Sequence, residues 1–104
     1  MAGLAMLALL LVGMTALILQ AATAASRAAT TADLAALAAA DAARGITVGD
    51  PCSVAEAVSG QHGADLVLCD VGGTGPGTVL VRVTIDSAGV LPDASAAARA
   101  GPPG

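Results

Sequence analysis

The sequence has no Lys, Asn, Phe, Tyr or Trp among its 104 residues. Each absence closes something off. Without aromatic rings a core has only aliphatic side chains to draw on, so it must be thin. Four Arg spread along a chain of net charge −4 make no cationic patch. Nucleic acid needs such a patch, with rings for stacking where the strand is single, so that partner class is excluded. One His, His62, with no nucleophile and orienting acid arranged around it, gives no basis for catalysis. No enzyme, small-molecule substrate or cofactor is expected. The length allows one domain at most.

Charge is missing from the first 26 residues as well. The run LAMLALLLVGMTALIL is their apolar centre, and Ala2 to Thr23 matches the roughly 20 residues a helix needs to cross a bilayer. A cleavable export signal has a shorter apolar run and a basic start; Ala22-Thr23-Ala24 is the one feature here that fits it. The expectation is a retained single-pass transmembrane helix over 1–24. The alternative is a small secreted, disulfide-stapled binding module, released by signal peptidase after Ala24 or Ala25. Flanking charge gives no orientation, because the nearest cation, Arg27, follows the span. Cys52 and Cys69 do: an even pair in a small segment beyond the membrane points to an oxidising compartment. The C-terminal part is therefore expected outside the cytoplasm.

Neither Pro nor Gly interrupts positions 14 to 44, and alanine is the best helix former. The helix should thus run on as an alanine-rich continuation over 25–45, with Arg44 at its negative pole and Gly45 in the left-handed conformation that ends it. On a helical wheel Arg27, Asp33, Leu34, Leu37, Asp41 and Arg44 share one half. The other half is alanine, and Ala25, Ala29, Ala32, Ala36, Ala39 and Ala43 follow the alternating spacing of a packing seam. Small side chains let helix axes approach closely, so this seam is expected to meet neighbouring helices. The leucines and charges should then face the rest of the chain or water.

Residues 46–101 read as a small α+β cap, with 102–104 as a tail. Asp50 and Pro51 open a short helix whose apolar face should hold Val54, Ala57 and Val58, ended by Gly60 or Gly63. ADLVLCDV alternates as a strand, with Val67, Cys69 and Val71 on one side and Leu66 and Leu68 on the other. GGTGPG turns the chain. It lacks the Lys and the following helix of a phosphate loop. TVLVRVTI is the clearest strand, with Val79, Val81, Val83 and Ile85 on one β-branched face. DASAAARAGP fits a third strand or a helical turn equally well. A bridge between Cys52 and Cys69 would staple the short helix to the sheet, worth about 3 kcal/mol in the chain-entropy account. Nine residues separate Cys52 from His62 and six separate His62 from Cys69, unlike the short ligand pairs of structural zinc, so no metal is expected.

RAATTADLAALAAADAA followed by DPCSVAEAVSGQHGADLVLCDV resembles the actinobacterial TadE-like family, small proteins of the Tad pilus and secretion neighbourhood. That family runs a hydrophobic helix into R-x-x-A-x-x-A-A-D-L-A-A-L-A-A-A, then a first Cys, a second Cys, a Val-rich strand and a closing A-R-A-G-P. The matches are Arg27, Asp33-Leu34-Ala35-Ala36-Leu37, Cys52, Gly63-Ala64, Leu66, Cys69 and Ala98-Arg99-Ala100-Gly101-Pro102. They extend over nearly the whole sequence. Members often open with a charged leader bearing a prepilin-peptidase site; AGLAML after Met1 has no such charge. The resemblance implies a pilin-like or minor-pilin-like membrane protein of a Tad-type apparatus. Its N-terminal helix would pack with other pilin-like subunits or assembly proteins, and its cap would face outward.

Overall fold

The computed structural model describes residues 1–86 and 91–102. Of the expected tail 102–104, residues 103 and 104 lie outside the described residues. The fold is α+β: a long N-terminal helix, a short helix and an antiparallel sheet.

Helix α1 spans Ala2–Ala43 without a break. At 1.5 Å per residue its 42 residues make about 63 Å, close to the 67 Å long axis of the whole molecule. The cap therefore lies alongside the helix, not beyond its end. Gly45, at φ 76°, supplies the left-handed residue that stops it. Its N–H donates to the Ala42 carbonyl (3.1 Å), and the next N–H, of Ile46, donates to that of Asp41 (2.9 Å). This crossed pair satisfies carbonyls that a helix end otherwise leaves open.

Helix α2 spans Pro51–Gln61, capped by the Asp50 carboxylate, which accepts from the Ser53 N–H at 3.0 Å. Pro51 in the first turn has no N–H to leave unsatisfied. His62 follows as C-cap, and Gly63 at φ 71° reverses the chain; Gly60 stays within the helix. The buried face holds Ala55 and Ser59, with Val58 half-buried, while Ala57 is exposed. The expected Val54–Ala57–Val58 face is thus rotated. Only small residues fit where α2 lies on α1, and Ser59 satisfies its own hydroxyl by donating to the Ala55 carbonyl (2.8 Å).

Strands β1 (Asp65–Val71), β2 (Val79–Ile85) and β3 (Ala94–Ala100) form one sheet in the order β1-β2-β3. DASAAARAGP thus resolves as a strand, its alternate alanines lying beside the β2 row: Val79 pairs with Ala100, Val81 with Ala98, Val83 with Ala96 and Ile85 with Ala94. In β1 the simple alternation fails. The register jumps between Leu66, opposite Val83, and Leu68, opposite Arg82, so Val67 is the extra residue of a β-bulge. The bulge turns Leu66 onto the same face as Cys69 and leaves Val67 54% exposed. Leu66, expected on the opposite face, thus lies on the Cys69 side, while Val67 is left unpaired in the ladder.

The core lies between the inner sheet face and the second half of α1. Val79, Val81, Val83 and Ile85 are buried, and over them lie Ala28, Ala32, Ala35, Ala36, Ala39 and Ala40. This reverses the expected use of the alanine seam. Ala32, Ala36 and Ala39 are covered by the chain's own cap, Ala43 is half-buried, and only Ala25 and Ala29 are exposed. The middle of the other half turns to solvent: Asp33 is exposed, Leu34 is 41% and Leu37 57% exposed. The reason is steric. A β-branched row needs a surface with nothing beyond Cβ if strand and helix are to come close without voids. Each buried Val or Ile is worth about 1.5–3 kcal/mol, so covering that row outweighs covering two leucines at the rim.

Leucine at position 32 would be forced into this contact. Ala32→Leu is expected to destabilise the cap by about 1–3 kcal/mol in denaturant unfolding of the full chain, whereas Ala29→Leu stays within about 0.5 kcal/mol. Equal, small effects at both positions would contradict the packing described.

Candidate functional site

Among the described residues three features have chemical or binding potential: a bare apolar helix, a disulfide at the start of α2, and a polar cleft where the end of α2 meets α1. The bare helix comes first. From Ala2 to Thr23 every residue is exposed, including Leu4, Leu7, Leu9, Leu10, Leu11, Val12, Leu17, Ile18 and Leu19. The helix is long and apolar enough to cross a membrane. Its two hydroxyls are no obstacle, since Thr15 and Thr23 donate to the carbonyls of Leu11 and Leu19, each at 2.8 Å. In lipid, where water is unavailable, that satisfaction within the helix is required.

The second feature is the bond between Cys52 and Cys69. Asp50 starts α2 one residue before Pro51, which fixes Cys52 in the first turn; the Val67 bulge turns Cys69 inward beneath it. The Cα atoms stand 5.8 Å apart, inside the usual range for a bridge. With both sulfurs bonded to each other, neither serves as a thiolate ligand beside His62. Among the described residues no cluster of three His, Cys, Asp or Glu could hold a metal ion.

The third feature went unseen in the sequence. On the helical wheel Arg27 belongs with the charged half of α1, and nothing in the sequence links it to His62. The fold brings them together across 35 residues: an Arg27 Nη2 N–H donates to the His62 carbonyl at 3.4 Å. His62 is exposed, and its Nδ1 is 3.0 Å from the Val58 carbonyl, which can only accept, so Nδ1 carries the proton of that bond. A cleft of about 460 Å³ opens between the two helices, lined by Ser26, Arg27, Thr30, Thr31, Gln61, His62 and Gly63. Thr31 is buried and donates to the Arg27 carbonyl (2.7 Å), so its hydroxyl is committed. No local pattern announces such a pairing, because it depends on how α2 lies on α1.

Elsewhere the loop at GGTGPG is a hairpin turn, closed by Gly72 N–H to the Thr78 carbonyl at 2.8 Å and followed by β2, not a helix. Comparison with family models, curated proteins and solved structures finds no match to this chain.

The bridge closes a loop between residues 17 apart in sequence, for which the chain-entropy account gives about 3 kcal/mol. Replacing both cysteines by serine is expected to lower the unfolding free energy by about that amount. An unchanged midpoint would show that the staple contributes nothing to the cap.

Proposed function

We propose that this chain is a structural, non-catalytic, single-pass membrane protein of pilin-like architecture, acting in a Tad-type pilus assembly or secretion apparatus. One observation carries the reading. A single unbroken helix has an apolar first half with no partner among the described residues and a second half built into the core of a disulfide-stapled cap. Such a rod transmits position from the membrane to the cap without a flexible joint. A mere tether would need no core contact at all.

The TadE-like resemblance supplies the apparatus, and the disulfide supports an extracytoplasmic cap. The lateral surface must differ from the alanine seam read in the sequence. Ala32, Ala36 and Ala39 are already covered, so neighbouring pilin-like helices meet the bare stretch 2–24, continued by Ala25 and Ala29. In lipid, association there rests on close packing, which the small residues Gly13 and Ala16, one turn apart, allow.

The competing reading, a secreted module cut after Ala24 or Ala25, needs an extended segment at the cut. Here Ala22, Thr23 and Ala24 sit inside a continuous helix. The intact mass of the mature protein separates the two: residues 1–24 are expected to be present. Their loss would overturn the assembly reading. Cysteines placed singly along 13–29 in the retained form should crosslink to neighbours with helical periodicity, and a flat or absent pattern would remove the lateral contact.

A further inference from the structure

We infer that the Arg27–His62 cleft is a phosphate site that takes the headgroup phosphate of an anionic phospholipid; this rests on the membrane reading above. Depth is the first reason. Ala2 to Thr23 spans about 33 Å at 1.5 Å per residue, which fills a hydrocarbon core of about 30 Å. Arg27 stands one turn further, about 6 Å on. A bilayer of about 40–45 Å overall has headgroup layers of about that thickness on each side. The guanidinium is thus at the level of the lipid phosphates, and its bond to the His62 carbonyl holds the end of α2 at the same level.

Donor chemistry is the second reason. The cleft offers the Arg27 guanidinium, the hydroxyls of Ser26 and Thr30, and the Gln61 amide, and no carboxylate lines it. That is unusual ground in a chain of net charge −4. A purely structural role for Arg27 exists, because a cation facing the C-terminal end of α2 meets the negative pole of that helix. That role uses one N–H of five, at the long distance of 3.4 Å. The remaining N–H groups keep the fork geometry that suits a phosphate diester. Thr31, tied back to the Arg27 carbonyl, fixes the backbone from which the side chain projects.

Surface attraction alone does not explain the arrangement. Arg82 and Arg99 lie exposed on the outer sheet face, away from this cleft, where no amide side chain joins them. Lipid recognition at position 27 therefore predicts selectivity that Arg99 does not share.

The test uses the full chain in vesicles of phosphatidylcholine with a minor fraction of phosphatidylglycerol. Retained lipid is read by native mass spectrometry and membrane association by flotation. The wild-type chain is expected to float and to retain phosphatidylglycerol over phosphatidylcholine. Arg27→Gln should float equally but retain about tenfold less; Arg99→Gln should match wild type. The pair Ser26→Ala and Thr30→Ala leaves the Arg27 contact with α2 intact and should lower retention severalfold, which separates ligand binding from helix capping. Equal retention of the two lipids by wild type, or undiminished retention by Arg27→Gln, overturns the site. Displacement of the lipid by millimolar inorganic phosphate overturns the lipid as the source and assigns the cleft to free phosphate. A wild-type chain that fails to float overturns the membrane reading itself.

Discussion

A β-branched row laid on a helix face of bare methyl groups is the contact on which the rest of this structure depends. Among the described residues Val79, Val81, Val83 and Ile85 are the large hydrophobic side chains that are buried, in a sequence without aromatic residues. Their cover is the alanine half of α1. Large against small works in one direction here. The sheet supplies the volume and the helix supplies the smoothness, so the two backbones approach without voids or strained rotamers. A small cap of this kind buries too little surface to stand on its own core, and the Cys52–Cys69 bridge offsets part of the shortfall from the side that α1 does not reach.

That contact also joins the two halves of the protein mechanically. Because the buried stripe from Ala28 to Ala40 continues the apolar stretch 2–23 as one helix, the cap has a fixed position and rotation relative to that apolar stretch. Neighbours gripping the bare half would set the orientation of the caps directly. The Arg27–His62 cleft sits at the changeover between the two environments, where α1 passes from exposed to covered. A site at that point would sense both lipid and cap.

Much of the architecture is legible in residues alone because it is local. Uninterrupted alanine gives α1, Gly45 stops it, Asp50 and Pro51 start α2, and strict alternation gives β2. What escaped is non-local or locally degenerate. The alanine seam is visible, but a seam does not say whether it meets a second helix or its own sheet; Ala32 looks the same in either case. Ala94–Ala100 has helical propensity and becomes a strand because β2 offers it a ladder. The Val67 bulge leaves no mark in ADLVLCDV, since Leu66, Val67 and Leu68 are all suited to either face. The Arg27–His62 meeting requires the packing angle of two helices, which no single segment encodes.

Amide hydrogen exchange on the full chain in a membrane mimetic tests the central contact most directly. If the alanine half of α1 is the other wall of the cap's core, amides of residues 28–40 exchange only through the same global opening as those of β2, with matching protection and matching loss as denaturant is added. Exchange of 28–40 at the rate of a solitary surface helix, while β2 stays protected, would contradict it.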